Sequence, residues 1–277
     1  MDIEVLGGLA VTENGVPVTP TAPKPRQVLA LLALHADQVV PVAMLIEELW
    51  GERPPRSART TLQTYILQLR ELIAGALAHD PQGSVPRTAK DVLRTLPGGY
   101  FLQTSGGASD VREFERLAGM GYRAMDADDF AGAARRLREA LTLWSGAALV
   151  DIQPGPQLEM EIRRLEESRL CALYQRIEAD LRLGRHRELV GELTVLVSRY
   201  RTHENLHGQF MLALHRSGRR GEALDVYQRL RNSLVRDLGL EPSTALRRLQ
   251  RSILMTGPDT VLAEAPAPAA QRLTRTG

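Results

Sequence analysis

The spacing of apolar positions along the chain changes twice. In the first twenty residues it is two: Ile3 and Val5 flank Glu4, Leu9 and Val11 follow Gly7-Gly8, and Asn14-Gly15 precedes Val16 and Val18. A period of two puts alternate side chains on one face of a strand, and Asn-Gly supplies the left-handed backbone of a tight hairpin. A small antiparallel sheet is therefore predicted to open the protein. From Lys24 the period becomes helical. "KPRQVLALLALHADQ" brings Val28, Leu31, Leu32 and His35 to one face, with Pro25 suited to the first turn. "PVAMLIEELWG" predicts a second short helix with Leu45, Ile46 and Leu49 inward, stopped by Gly51 and Pro54-Pro55. A third helix, "SARTTLQTYILQLRELI", opens behind Ser57 as its N-cap. After the loop "HDPQGSVPRTA", the stretch "DVLRTLPGGYFLQT" predicts two strands around Pro97-Gly98-Gly99. Sheet, three helices and hairpin, over residues 1–104, is the layout of a winged helix-turn-helix.

"TSGGAS" at 104–109 is a flexible linker by composition. From 110 to about 255 every pattern is helical, and a 34-residue echo runs through it. "LGRHRELVGEL" from Leu183 aligns with "SGRRGEALDVY" from Ser217, matching Gly184 to Gly218, Arg185 to Arg219 and Glu188 to Glu222. "DDFAGAARRLREALTLW" fits more loosely, with Ala133 and Leu137 where Ala223 and Tyr227 fall. That period, with small residues at a helix crossing, is the tetratricopeptide pattern. The fold class is thus mainly α: a winged helix-turn-helix with small sheets and three helices, then an all-α tetratricopeptide-like domain at 110–255. The segment 256–277, rich in Pro and Ala, is expected to be disordered.

The third helix carries the candidate chemistry. At about 100° per residue, Ala58, Leu62, Ile66, Leu69 and Ile73 gather on one face. Thr60, Thr64, Gln68 and Glu71 point the other way, with Thr61 and Gln63 on the flanks. Surface helices usually expose Lys and Glu there. Thr and Gln instead donate and accept hydrogen bonds, and the Thr methyl can meet a thymine methyl, so this strip suits base edges in a major groove. Arg59 and Arg70 flank it within reach of phosphates, which position a helix without reading sequence. Tyr65 lies at the edge of the apolar face and Trp50 ends the second helix. Each can pack in the core or donate to a phosphate. Lys90 and Arg94 stand where a wing would approach the backbone or minor groove. A solvated surface is the alternative for the whole strip.

Bulk charge does not decide the matter. The net charge is +2, but residues 1–104 hold nine Lys/Arg against ten Asp/Glu, and Lys24 and Lys90 are the only lysines. A single cysteine, Cys171, excludes an internal disulfide and reads as a small packed residue. Without a long apolar run or a leader pattern, no membrane association is expected and a cytoplasmic location is. No cofactor motif of the phosphate-loop kind occurs.

One pattern points elsewhere. "HENLH" at 203–207 has the H-E-x-x-H spacing of zinc proteases, which would put His203 and His207 on one helical face with Glu204 as base. The longer metal-binding spacing fails, because Phe210 and Ala213 stand at the Gly and third His positions. A peptide-binding scaffold, its winged fold serving protein contacts, is a second alternative. No enzymatic activity is expected.

"TPTAPKPRQVLALLAL", "LIEELWGERPPRSARTTLQTYILQLR" and "LPGGYFL", followed by "GRRGEALDVYQRLRNSLVRDLGLEPSTALRRLQRSIL", closely resemble the Streptomyces antibiotic regulatory protein family over residues 1 to 255. The last run resembles the end of that family's bacterial transcriptional activation domain. The resemblance implies an N-terminal winged helix-turn-helix of the response-regulator effector type. It also implies activation of secondary-metabolite (antibiotic) gene clusters, through direct repeats of double-stranded DNA beside a promoter and contact with RNA polymerase, its sigma factor and core subunits. Two copies as a homodimer or in tandem on DNA are expected. One departure stands out: Leu96 occupies the place where such wings often carry an Arg, leaving Arg94 nearest. No receiver domain precedes the winged half and no ATPase motif is present, so the short form of the family is expected.

Overall fold

The computed structural model describes residues 1–79 and 87–255. The expected disordered tail and most of the "HDPQGSVPRTA" loop lie outside them. Backbone packing divides the chain into two compact units, Met1–Arg176 and the residues from Ile177 on.

The first unit opens with an antiparallel sheet of β1 (Asp2–Glu4), β2 (Ala10–Glu13) and β3 (Val16–Pro17), in that order. Ile3 faces Val11, and Glu13 pairs with Val16 across the predicted turn, where Asn14 and Gly15 take φ of 52° and 75°. Helix α1 (Pro23–Leu34) follows, then β4 (Val39–Pro41), α2 (Val42–Trp50) and α3 (Ala58–Leu77). A single helical turn, α4 (Ala89–Val92), leads into the hairpin of β5 (Leu93–Leu96) and β6 (Gly99–Leu102). Ala58, Leu62, Ile66, Leu69 and Ile73 of α3 are all buried, as their period predicts, and the last four share one hydrophobic core with Val28 to Leu32 of α1. Each such leucine or isoleucine contributes about 1.5–3 kcal/mol relative to exposure.

Three expectations change. The hairpin has a third strand, β4, giving the order β4-β6-β5 with Val40 opposite Tyr100. Two valines and a proline are too short to show a period, and only the β6 edge makes them a strand. Ser57 does occupy the N-cap of α3, but its side chain makes no capping hydrogen bond.

The third change concerns the linker. Thr104 donates from its amide and hydroxyl to the Asp37 carboxylate, at 2.9 and 2.6 Å. Arg112 adds a 2.7 Å ion pair to the same group. Burial would raise the Asp37 pKa, but these donors outweigh it and hold the carboxyl below its usual 3.8. Ser109 forms a parallel bridge with Ile3, and a Cβ on Gly107 would lie 1.8 Å from the Met1 carbonyl oxygen. Gly107 serves close approach while Gly106 takes a left-handed φ of 82°, and with these contacts 104–109 is a fastened strap.

Beyond the strap, α5 (Asp110–Asp126), α6 (Phe130–Thr142) and residues 156–176 of α7 (Pro156–Arg182) belong to the same unit. Asp110 accepts the amides of Val5 and Leu6, both at 2.7 Å. Glu48 of α2, 2% exposed, accepts from Gly155 and from the first-turn amides of Gln157 and Leu158 at 2.6, 2.9 and 2.9 Å. A winged-domain carboxylate thus caps α7, and Leu149 and Leu158 join the core of α1–α3.

The second unit contains the end of α7 and α8 (His186–Arg199), α9 (Glu204–Arg216), α10 (Arg220–Leu238) and α11 (Thr244–Met255), with α9 packed on α8 and α10. The 34-residue echo is structural. Gly184 and Gly218 both adopt a left-handed φ, of 78° and 80°, just before α8 and α10. The third copy places Asp128, φ 55°, at the same step before α6. The aligned pairs Ala133/Leu137, Leu189/Leu193 and Ala223/Tyr227 are all buried.

"HENLH" folds into this repeat. His203 is extended backbone at the N-cap of α9, and its ring accepts the Leu206 amide at 3.3 Å. His207 lies inside the helix, its Nδ1 3.0 Å from the His203 carbonyl. Both ring Nδ1 atoms are thus engaged with backbone, and among the described residues no group of three metal-ligating side chains is present. Glu204 accepts the Ser243 amide at 2.7 Å.

Candidate nucleic-acid interface

Helix α3 begins behind Pro54-Pro55, where the Ala58 amide donates to the Pro55 carbonyl at 2.9 Å. Its buried face fixes the opposite one. Arg59, Thr60, Gln63, Thr64 and Gln68 are all exposed, and Thr61 is half-buried at the flank. The Thr64 hydroxyl donates to the Thr60 carbonyl at 3.2 Å, which leaves its oxygen free to accept. The side-chain amides of Gln63 and Gln68 are unspent within the described residues, so each presents a donor and an acceptor side by side. From Thr60 to Gln68 the rise is about 12 Å, comparable with the width of a B-DNA major groove.

Arg70 is the clear reassignment. Expected at a phosphate, it turns inward to the hairpin. Its Nε and Nη2 donate to the Leu93 carbonyl at 3.0 and 2.8 Å, and Nη2 also donates to Thr95 Oγ1 at 2.8 Å. The guanidinium braces β5 against α3 and fixes the wing relative to the exposed strip. Trp50 and Tyr65 are half-buried and packed against the core of α1–α3, so their rings support the helix junction.

Arg94 is exposed on β5, its guanidinium 5.8 Å from the centroid of Phe101. Lys90 is exposed on α4, whose start is fixed by the Thr88–Asp91 capping box. The Thr88 amide and hydroxyl hold the Asp91 carboxyl below its usual value. Leu96 is half-buried in the hairpin, paired with Gly99.

Two features escaped the sequence reading. Arg53 and Arg56, with Arg59, form an exposed run around the start of α3, and none of the three makes a side-chain hydrogen bond or ion pair among the described residues. Their signal was the spacing R-P-P-R-S-A-R, three guanidiniums within seven residues at a helix N-terminus. The other is Leu67, 56% exposed in the middle of the Thr/Gln strip.

Both halves of the chain match known families. Residues 109–254 match the family model of the bacterial transcriptional activator domain, and residues 17–83 match the C-terminal domain of transcriptional regulatory proteins. The chain is 53% identical to the regulatory protein DnrI of Streptomyces peucetius over 258 residues, 93% of each chain. It is 37% identical to the regulatory protein AfsR of Streptomyces coelicolor over 98% of its own length but 26% of that protein's. A solved structure of Mycobacterium tuberculosis EmbR, in complex with a low affinity phosphopeptide, superimposes with a TM-score of 0.81 at 33% identity, covering 91% of this chain and 64% of that one. Among the described residues no helix is long and apolar enough to cross a membrane. A winged DNA-binding fold with an exposed Thr/Gln strip on its third helix, a matched activator domain behind it and a 53% identical relative identify the chain as a DNA-binding transcriptional activator of the Streptomyces antibiotic regulatory protein family.

Proposed function

We propose that this chain switches on a secondary-metabolite gene cluster by placing α3 in the major groove of direct repeats beside a promoter. Thr60, Thr64, Gln63 and Gln68 read base edges, with Thr61 at the rim. Arg59, together with Arg53 and Arg56, neutralises the phosphates at the helix start, and Arg94 and Lys90 of the wing neutralise those alongside. Residues from 110 to 255 then engage RNA polymerase, through its sigma factor and core subunits, in the cytoplasm. The observation that carries the reading is the strip from Thr60 to Gln68, which presents hydrogen-bonding Thr and Gln side chains without a charge before Glu71, on a helix whose other face is buried. Two copies sit head to tail on tandem half-sites, a reading supported by the lack of a leucine-zipper heptad in the sequence of the winged half.

Capture of genomic fragments by the purified protein, followed by binding isotherms, tests this. Thr64→Ala with Gln68→Ala is expected to cost about 1–3 kcal/mol per lost base contact on the captured site and far less on random duplex. Inserting roughly 5 bp between repeats rotates the second copy to the far side of the duplex and removes any cooperative gain, which about 10.5 bp restores. Equal weakening on cognate and random DNA, or undiminished affinity at the half-turn insertion, refutes the corresponding part.

A further inference from the structure

The α3 helix sorts its residues by polarity with two exceptions, Leu67 and Leu72. Leu72, 39% exposed, lies about 120° from the direction of Thr60, at the border with the buried face. Leu62, Ile66, Leu69 and Ile73 are 1–2% exposed, whereas Leu67 is 56% exposed and belongs to neither hydrophobic cluster. A lone exposed leucine on an arbitrary surface needs no explanation. Its position here does. At about 100° per residue, Leu67 lies roughly 20° from the direction of Thr60, between Gln63 on one side and Thr64 and Glu71 on the other. Gln63 and Thr64 stand four and three residues before it, the spacings at which helical side chains touch. The apolar group is thus placed at the centre of the strip assigned to base edges, not at its border with the core.

The major-groove edge of DNA offers one apolar group, the C5-methyl of thymine, and it lies beside the O4 acceptor of the same base. A branched butyl group flanked by amide and hydroxyl donors matches that pairing of methyl and acceptor. We infer that Leu67 is a specificity-determining residue that packs on thymine C5-methyl groups in the half-site, while Gln63 or Thr64 satisfies the neighbouring polar edges. The assignment rests on the reading of α3 as the base-reading helix. It makes part of the sequence preference a preference for methyls rather than for hydrogen-bond patterns.

The test is a double-mutant cycle between protein and DNA. Wild type and Leu67→Ala are titrated against the captured duplex and against versions in which each thymine is replaced, one at a time, by deoxyuridine, which lacks only the methyl. Thermal melts of the variant confirm folding, which an exposed side chain should leave intact. For wild type, one or two deoxyuridine positions per half-site should weaken binding about fourfold, the equivalent of about 0.8 kcal/mol for one buried methyl group. In Leu67→Ala the same positions should lose their effect, while substitutions elsewhere behave as in wild type. Deoxyuridine effects that are equal in wild type and Leu67→Ala overturn the inference, as does a half-site without thymine under α3. Loss of cooperativity between tandem sites with single-site affinity intact also overturns it, and assigns Leu67 to contact between copies. If the underlying reading of α3 fails instead, Thr64→Ala with Gln68→Ala leaves cognate preference unchanged, a result independent of the methyl cycle.

Discussion

Replacing Arg70 with methionine keeps the aliphatic stem and removes the guanidinium. Three hydrogen bonds go with it: two to the Leu93 carbonyl, at 3.0 and 2.8 Å, and one to the Thr95 hydroxyl at 2.8 Å. Hydrogen bonds to a charged donor are worth about 1.5–3 kcal/mol each in buried settings. Here the Thr95 bond is solvent-exposed and the two to Leu93 share one acceptor, so a total near 2–3 kcal/mol is the reasonable magnitude. For a unit of this size that corresponds to a fall in melting temperature of roughly 4–12 °C. Because the loss is local, amide exchange should accelerate first in β5 and β6. On DNA, affinity should fall through a loosened wing. The slope of log K against log salt should stay within a few tenths of wild type, because no phosphate contact is lost. A phosphate-binding arginine behaves oppositely: its removal lowers that slope by about 0.9 and leaves stability nearly unchanged. An unshifted melting temperature together with a slope reduced by about 0.9 would refute the bracing role. Arg70→Lys should rescue little, since an ammonium cannot span both acceptors as the guanidinium fork does.

Neutralising Arg53, Arg56, Arg59 or Arg94 singly with Gln should reduce the salt slope by about 0.9 each while the preferred sequence is retained, measured by titration from low to moderate salt. A shifted preference would move that arginine among the base readers. A fragment ending at Gln103 should not fold stably. It strands the Glu48 carboxylate without the amides of Gly155, Gln157 and Leu158 and removes Leu149 and Leu158 from the core. A fragment ending at Arg176 should keep both fold and site preference without activating transcription in vitro, and a cooperative melt from the shorter piece would contradict this. In the second unit, burial holds the imidazoles of His186, His207 and His215 below their usual 6.5, and neighbouring arginines push the same way. The unfolded chain then binds more protons than the folded one just below that pH. Stability should be full above about pH 6.5, decline as pH falls through it, and level off once the folded histidines protonate. Exchange of the α9 amides between pH 8 and 5.5 follows this directly, and stability that is flat or rises on acidification would show the sign to be wrong.

Much of this protein was legible in its sequence because the signals are local. The helical period of α3 named five of its six buried residues, all but Ala76, and from them the exposed strip follows by geometry alone. Asn14-Gly15 announced the hairpin of β2 and β3, and Gly184 and Gly218 marked equivalent steps of the repeat, because left-handed backbone is a property of the residue itself. What the sequence left open depended on partners far along the chain. Strand β4 exists because β6, some sixty residues later, pairs with it. The strap at 104–109 has the composition of a free linker, yet Asp37, Asp2 and the Met1 backbone hold it. Arg70 looked like a phosphate ligand until the hairpin offered it two acceptors. Glu48, an unremarked glutamate in a short amphipathic helix, became the cap of a helix that starts 107 to 110 residues away. A side chain's chemistry and its helical face are written locally, whereas which donor meets which acceptor is settled only when packing brings distant segments within three ångströms of each other.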